Sequence, residues 1–434
     1  MLIWTSNEAK SHSACQEYRI RVPLNTLYDL HGVQSYEDRG ENQREAIKFM
    51  FNADVIQLYS LSGESILHKI QTIHDIKPQE RDGEMRVPPA FIYDADDNAD
   101  FVHPFNNTFG HMGVRAYPDA RLLKPGDCLE WKDEKGVARG CWIDQETESG
   151  PVLFDIARNL HNMKVRHEII RTCDGATASS APLASYFRDV CGQKHVHVYP
   201  NTVVPEDYPK FRAVRENTDE VRILWQGSAS HIVDWYPLRS ALKTIAAKYP
   251  NVKFVIFGEW FDFIHDVIPD HMVEHHGWVE YAAYKLYRGL LNCDINLCPL
   301  ADNPFNRCKS AIKWYEASVW KDRPEATLAQ ATAPYQEIVD GETGLLYKTP
   351  AEFVEKLSLL IEDAQLRARL GANAHEWVFN NRLPQHTTRG LYEFYSEVRA
   401  RQVRERTGRS LVTSATQKDI ALAVQTQEAL LKMR

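Results

Sequence analysis

Short apolar runs alternate with longer amphipathic segments along most of this chain, the pattern of parallel β-strands joined by helices. Leu2 to Thr5, Asp54 to Tyr59 and Ala90 to Asp94 are runs suited to buried strands. The pattern resumes with a helix over Phe154 to Arg171, a strand at Ala176 to Ser179, a helix over Leu183 to Val190 and a strand at His195 to Tyr199. Pro200-Asn201-Thr202 interrupts it and reads as a linker. A second series starts with the strand Val221 to Gln226, which runs into the turn Gly227-Ser228. Trp235, Leu238, Leu242 and Ile245 mark the next helix, Lys253 to Gly258 the next strand and Asp294 to Pro299 a later one. Two Rossmann-like, doubly wound α/β domains facing a cleft are expected. Ligands of such sheets bind beyond the carboxyl ends of the strands, so Gly227, Gly258, Pro299 and the loop before Lys309 are expected to converge.

Between the two series, residues from about His103 to Gly150 lose this rhythm. Lys124-Pro-Gly-Asp127 is a turn, and Leu129 to Trp142 reads as a hairpin, so the stretch is expected to be an insertion or lid. The expected domains are residues 1–203, carrying an insertion at about 103–150, then 204–398, and a basic helical tail at 399–434. With 434 residues and 44% hydrophobic positions, the chain can bury two sizeable cores. No run approaches the 18 or so apolar residues of a membrane span, and the amino terminus lacks the regions of a signal peptide. A cytoplasmic location is expected, and eight scattered cysteines without a CxxC pair fit it. The net charge of −8 hides an asymmetry. Arg399 to Arg434 holds eight Lys/Arg against three Asp/Glu, a net of +5, which leaves about −13 on the rest. The tail is either a solvated helix or a contact for an anionic partner.

Residues 305–316, Phe-Asn-Arg-Cys-Lys-Ser-Ala-Ile-Lys-Trp-Tyr-Glu, carry the densest candidate chemistry. At about 100° per residue on a helix, Lys309, Lys313, Glu316 and Trp320 share one sector, and Ile312, Tyr315 and Val319 form the opposite, apolar stripe. Two lysines near a helix start, together with free backbone N–H groups, suit a diphosphate. Glu316 could accept hydrogen bonds from sugar hydroxyls. The plain alternative for this spacing is an amphipathic surface helix with a Lys/Glu pair.

The residues carboxyl-terminal to that segment narrow the choice. Arg323-Pro-Glu-Ala-Thr-Leu, Pro334-Tyr335 and Glu337-Ile-Val-Asp-Gly-Glu-Thr-Gly-Leu-Leu-Tyr347 come in an order that resembles the carboxyl-terminal half of family-four, GT-B-fold glycosyltransferases. The likeness spans roughly Val221 to Arg399, and the segment from Cys173 to Val203 resembles the end of the first domain of the same enzymes. It implies retaining transfer from a nucleotide diphosphate-sugar, with the glutamate at position 316 contacting the ribose. The sequence departs from that pattern twice. Cys308 stands where a second glutamate is common, and Gly227-Ser228-Ala-Ser-His231 stands where Arg and Lys commonly grip the diphosphate. Lys309, helped by Arg307 or Lys313 and flanked by Ser310, is therefore expected to neutralise the phosphates, with Gly227 and Ser228 completing the donor side.

On the first domain, Asp94-Ala-Asp96-Asp97 ends a predicted strand. Carboxylates this close repel one another unless a cation or donor separates them. They could bind or deprotonate an acceptor hydroxyl, hold a metal, or cap a solvated loop. Asp96 and Asp97 are taken as acceptor-side catalytic candidates, with Asp94 beside them. Arg19, in a loop after the first strand, could meet an anionic acceptor or the donor phosphates. His265, His271, His275 and His276 lack metal-ligand spacing and read as surface residues, so no metal site is expected. No Ser-His-Asp constellation or Walker loop is present in the sequence.

The expectation is a glycosyltransferase of GT-B fold that uses a UDP- or GDP-sugar and needs no other cofactor. Each well-placed donor at the leaving diphosphate would supply ~3 kcal/mol. The acceptor is expected to be a saccharide or glycan. Hydroxymethylated bases of phage DNA are an alternative acceptor, and a sugar-nucleotide epimerase or a non-catalytic sugar-nucleotide binder is an alternative class.

Overall fold

The computed structural model describes residues 1–6, 14–40, 42–81, 84–102, 108–113, 128–133, 136–141, 145–147, 150–152, 156–210, 212–213 and 219–408. The chain forms two compact units. The first comprises Met1–Asp96, Lys164–Pro200 and the segment from Pro384 onward; the second comprises Asp97–Met163 and Asn201–Leu383.

The first unit holds a six-stranded parallel sheet of β1 (Leu2–Ser6), β2 (Gln34–Asp38), β3 (Val55–Tyr59), β4 (Ala90–Ala95), β5 (Gly175–Ala178) and β6 (Val196–Val198), in the order β6-β5-β4-β3-β1-β2. Ile3, Val55, Ala90 and Ile92 lie in its core because a sheet covered on both faces selects continuous apolar runs. The edge strand Gln34–Asp38 is polar and more exposed, which is why hydrophobic runs alone do not reveal it. The last helix among the described residues, Pro384–Thr407, packs Leu391, Tyr395 and Val398 into the same core. Arg399 and Gln402 fasten it further by donating to the carbonyls of Pro88, Val87 and Pro89. The helical start of the basic tail is thus part of a packed unit, while residues 409–434 lie outside the described residues.

The second unit repeats the plan with β7 (Val221–Gly227), β8 (Val252–Gly258), β9 (Val273–His276), β10 (Ile295–Cys298), β11 (Ala326–Gln330) and β12 (Leu345–Tyr347). All pair in parallel, in the order β9-β8-β7-β10-β11-β12. Trp225, Trp235, Leu242, Phe254 and Phe353 fill the core between sheet and helices. The strand order reverses between β7 and β10, and this switch point is where an open parallel sheet leaves a crevice at its carboxyl edge. Within the expected insertion, Cys128–Asp133 and Gly136–Cys141 pair as an antiparallel hairpin. Lys124 to Asp127 and Trp142 lie outside the described residues.

The expected single helix through residues 305–320 does not form. A four-residue turn of helix, Pro304–Arg307, precedes a separate six-residue helix, Ile312–Ala317. Asn303 caps the first by accepting from the Asn306 backbone N–H, and Cys308–Ala311 connect the two. Lys309 therefore stands in the connection and only Lys313 in a first turn.

Candidate functional site

The switch point of the second unit collects the most concentrated chemistry. β7 ends at Gly227, paired with Gly258 at the end of β8. Gly258 has φ +113°, and a Cβ there would lie 2.3 Å from the Gly227 carbonyl oxygen, so the two backbones approach as only glycine permits. A Cβ on Gly227 would meet His231 and Trp225 at 2.9 Å and the Lys313 ammonium at 3.2 Å. Bare backbone thus lies directly beside a lysine.

His231 holds that lysine, and Asp234 holds His231 in turn. His231 Nδ1 lies 2.6 Å from Asp234 Oδ2, and its Nε2 lies 3.1 Å from Lys313 Nζ. Burial, reinforced by the Lys313 charge, lowers the His231 pKa to about 4. At neutral pH the ring is uncharged, so Nδ1–H donates to Asp234 and Nε2 accepts from Lys313. Asp234 Oδ1 accepts from the Ala301 N–H and from Asn306 Nδ2, both at 2.8 Å. It thereby ties the loop after β7 to the loop after β10. Burial lowers the Lys313 pKa to about 8; Asp234 and Glu316 oppose the shift and Lys309 adds to it. Part of the Lys313 side chain remains accessible. A desolvated ammonium with no carboxylate hydrogen-bonded to it among the described residues, beside glycine backbone at a switch point, is prepared to receive an anion.

The other donor-side candidates are dispersed. Lys309 Nζ lies 3.4 Å from Asp97 Oδ1 and over the Phe305 ring, and both charged side chains keep some exposure. Ser310 accepts from Asn201, and Ser228 pairs with Ser230 at 2.9 Å. Arg307 is exposed and forks onto Asp302, which leaves it a surface pair. Glu316 is buried, and its carboxylate accepts from Tyr208, Gln226 and Tyr284 at 2.9–3.1 Å. A ribose hydroxyl there would have to compete with these donors.

In the first unit Arg19 and Asp94 are taken up by each other. Both side chains are 1% exposed and form a two-bond pair at 3.1 and 2.5 Å. Thr177 donates to Asp94, and Arg19 also donates to the Tyr199 carbonyl. Burial opposes the guanidinium charge, but Asp94 more than restores it and the Arg19 pKa rises. Neither group is presented to an acceptor, because solvent cannot reach them. Asp96 is half-buried and accepts from the Tyr59 hydroxyl at 2.8 Å; burial and then the Asp96 charge keep that phenol protonated. Asp97, in the second unit, keeps 44% of its side chain exposed, against 1% for Asp94. Asp94-Ala-Asp96-Asp97 is therefore split by partner: arginine, tyrosine and lysine. Among the described residues no three His, Cys, Asp or Glu groups are placed to hold a metal ion. His265, His275 and His276 lie near the surface and bond to Asp270, the Gly258 carbonyl and Glu274.

Sequence reasoning missed His231 and Asp234. The turn after β7 drew attention only for lacking Arg and Lys; its His-x-x-Asp spacing is the signal that could have found them.

Comparison with solved structures places this architecture. HepE of Anabaena in complex with UDP and glucose superposes with a TM-score of 0.56 at 12% identity, covering 92% of this chain and 100% of that one. A sucrose-phosphate synthase from Thermosynechococcus elongatus gives 0.55 at 11%, covering 92% and 98%. A glycosyltransferase from Rickettsia africae gives 0.53 at 11%, with the same coverage. By sequence, no family model and no curated protein matches. The likeness establishes the fold: the chain has the GT-B architecture.

Proposed function

We propose that this protein is a glycosyltransferase that moves a sugar from a nucleotide diphosphate-sugar to a hydroxyl acceptor, with the donor diphosphate seated against Gly227, Ser228 and Lys313. The observation that carries the reading is the Lys313 ammonium beside the glycine edge of β7, held by a neutral His231, in a GT-B fold. HepE was solved with UDP-glucose, which makes a UDP-sugar the first donor to try. Lys309 would leave Asp97 for the phosphates, and the freed carboxylate would then be available to an acceptor hydroxyl. Retention needs no protein nucleophile here, because the departing diphosphate can take the acceptor's proton on the same face of the sugar. A saccharide or glycan is the acceptor proposed. The protein should be incubated with labelled UDP-, GDP- and ADP-sugars, alone and with glycan acceptors, and the products analysed. Release of nucleotide with transfer or hydrolysis supports the reading; a changed sugar on an intact nucleotide would identify an epimerase instead.

Turnover is expected to survive EDTA. Abolition by chelation with rescue by a divalent ion would overturn the metal-free mechanism.

The pH dependence has a definite sign. Lys313 free of ligand loses its proton near pH 8, and a bound diphosphate favours the charged form, so donor binding above pH 8 is expected to take up a proton. Affinity for UDP should fall by up to about tenfold per pH unit above 8 until the bound-state pKa is reached. Calorimetry in two buffers of different ionisation enthalpy checks this, and Lys313→Arg should abolish the dependence.

The tail separates glycan from DNA. Val403 is buried in the first unit, so truncation must begin after it. Removing residues 409–434 is expected to leave donor and acceptor use unchanged. Tight duplex binding that falls steeply with salt, and that weakens on truncation, would favour DNA as acceptor instead. Among the described residues no helix is long and apolar enough to cross a membrane.

A further inference from the structure

At the amino end of β10, the opposite edge of the second sheet from Gly227, lies a cavity of about 140 Å³. Its walls include Arg212, Asp294, Arg323, Arg367 and the first turns of the 18-residue helix Ala364–Asn381, through Ala364 and Ala368. We propose that this cavity is a binding site for a phosphate group, separate from the donor site and independent of the glycosyl-transfer reading.

Charge is the first reason. Arg212, with 2% of its side chain exposed, and Arg288, fully buried, share one carboxylate, Glu325. Arg288 takes both oxygens at 3.0 and 2.9 Å, and Arg212 adds a third bond at 3.0 Å. Two buried guanidinium groups against one buried carboxylate leave a positive excess in a poorly solvated place. Arg323 and Arg367 add two more charges at the cavity wall, against Asp294 alone. Asp294 already accepts from the Arg222 backbone N–H. The cavity wall itself carries three arginines, Arg212, Arg323 and Arg367, against one carboxylate, Asp294, a positive excess that a phosphate group can offset.

Geometry is the second. Arg212 donates to the Arg323 and Cys293 carbonyls, which fixes the guanidinium at the wall, yet its buried Nε has no hydrogen-bond partner among the described residues. An unused donor on a buried arginine is uncommon without a ligand or water to receive it. Arg323 stands at φ +64°, a left-handed conformation that a residue with a side chain adopts at a cost. Its guanidinium is exposed and has no partner among the described residues. Arg367 donates to the Leu360 and Ile361 carbonyls at the end of the preceding helix and is held in place. The helix beginning at Ala364 is capped by Asp363, which accepts from the Leu366 N–H, so the arginines rather than the helix end supply the positive charge. The volume holds several water molecules, enough for one tetrahedral oxyanion.

The phosphate could be free or the phosphoryl group of a phosphomonoester whose remainder projects outward. The test uses the full chain carrying Lys313→Ala, so that the donor site is weakened, titrated calorimetrically with inorganic phosphate and with glucose 6-phosphate in the presence of saturating UDP. One saturable site is expected in this background, weakened at least tenfold by Arg323→Glu and by Ala368→Glu, with UDP binding to the otherwise wild-type protein unchanged by either. Tighter binding of the ester assigns the site to a phosphorylated metabolite, and tighter binding of phosphate assigns it to the free anion. No saturable binding of either probe, or binding indifferent to both substitutions, overturns the proposal. The donor reading fails separately, by loss of the UDP response in the wild-type protein.

Discussion

Replacing Lys313 with alanine is expected to lower kcat/KM for the sugar donor by about 100-fold or more, while Lys309→Ala costs about tenfold. Removing one preorganised donor from a developing anion typically costs ~3–4 kcal/mol where water is excluded, and less where solvent competes. Lys313 meets the first condition. Its ammonium is desolvated enough for its pKa to fall to about 8, and His231 and Trp225 fix its position. Lys309 meets the second, since it is partly exposed and must first leave Asp97. The fold should tolerate Lys313→Ala because the folded state already disfavours that charge. Its removal leaves only the neutral His231 Nε2 without its donor, a cost of ~1–3 kcal/mol at most. Kinetics with a UDP-sugar, calorimetry with UDP and a denaturation curve check this together. Equal losses for the two lysines, or a larger one for Lys309, would return the phosphates to the connection between the two short helices.

Asp94→Ala is expected to destabilise the first unit by about 3–5 kcal/mol, because it leaves the Arg19 guanidinium buried without its counter-charge. Thr177 would also lose its acceptor. Replacing both partners, with Arg19→Met and Asp94→Leu together, should recover a large part of that loss, since no buried charge remains. Denaturant unfolding monitored by a probe in the first unit measures both. If Asp94→Ala folded with unchanged stability and instead impaired only acceptor use, Asp94 would belong to the acceptor site after all.

The buried strands were legible because a sheet covered on both faces demands unbroken apolar runs, and Val221 to Gln226 or Ala90 to Asp94 match the observed strands to within a residue. Edge strands such as Gln34–Asp38 and Val273–His276 were not, since one exposed margin lets polar residues in. The helical sector through Lys309, Lys313 and Glu316 failed for a related reason. Spacing says which positions would share a face if a helix continued, and Asn303, as a cap, starts a short turn that ends before Lys309.

By itself the sequence determined the two parallel α/β units, the glycine turn at the end of β7 and the segment that supplies a lysine to it. Periodicity and turn chemistry are local and survive being read in one dimension. Only the tertiary structure decided which polar groups meet. Lys313 reaches His231 across 82 positions and Asp94 takes Arg19 across 75. It also gave Glu316 three side-chain donors and brought the Lys313 ammonium from a later helix to the turn after β7. A charged side chain in the sequence carries no mark of whether its partner will be water, a ligand or another residue. That is fixed when burial removes the water and leaves whichever group the fold has brought within hydrogen-bonding distance.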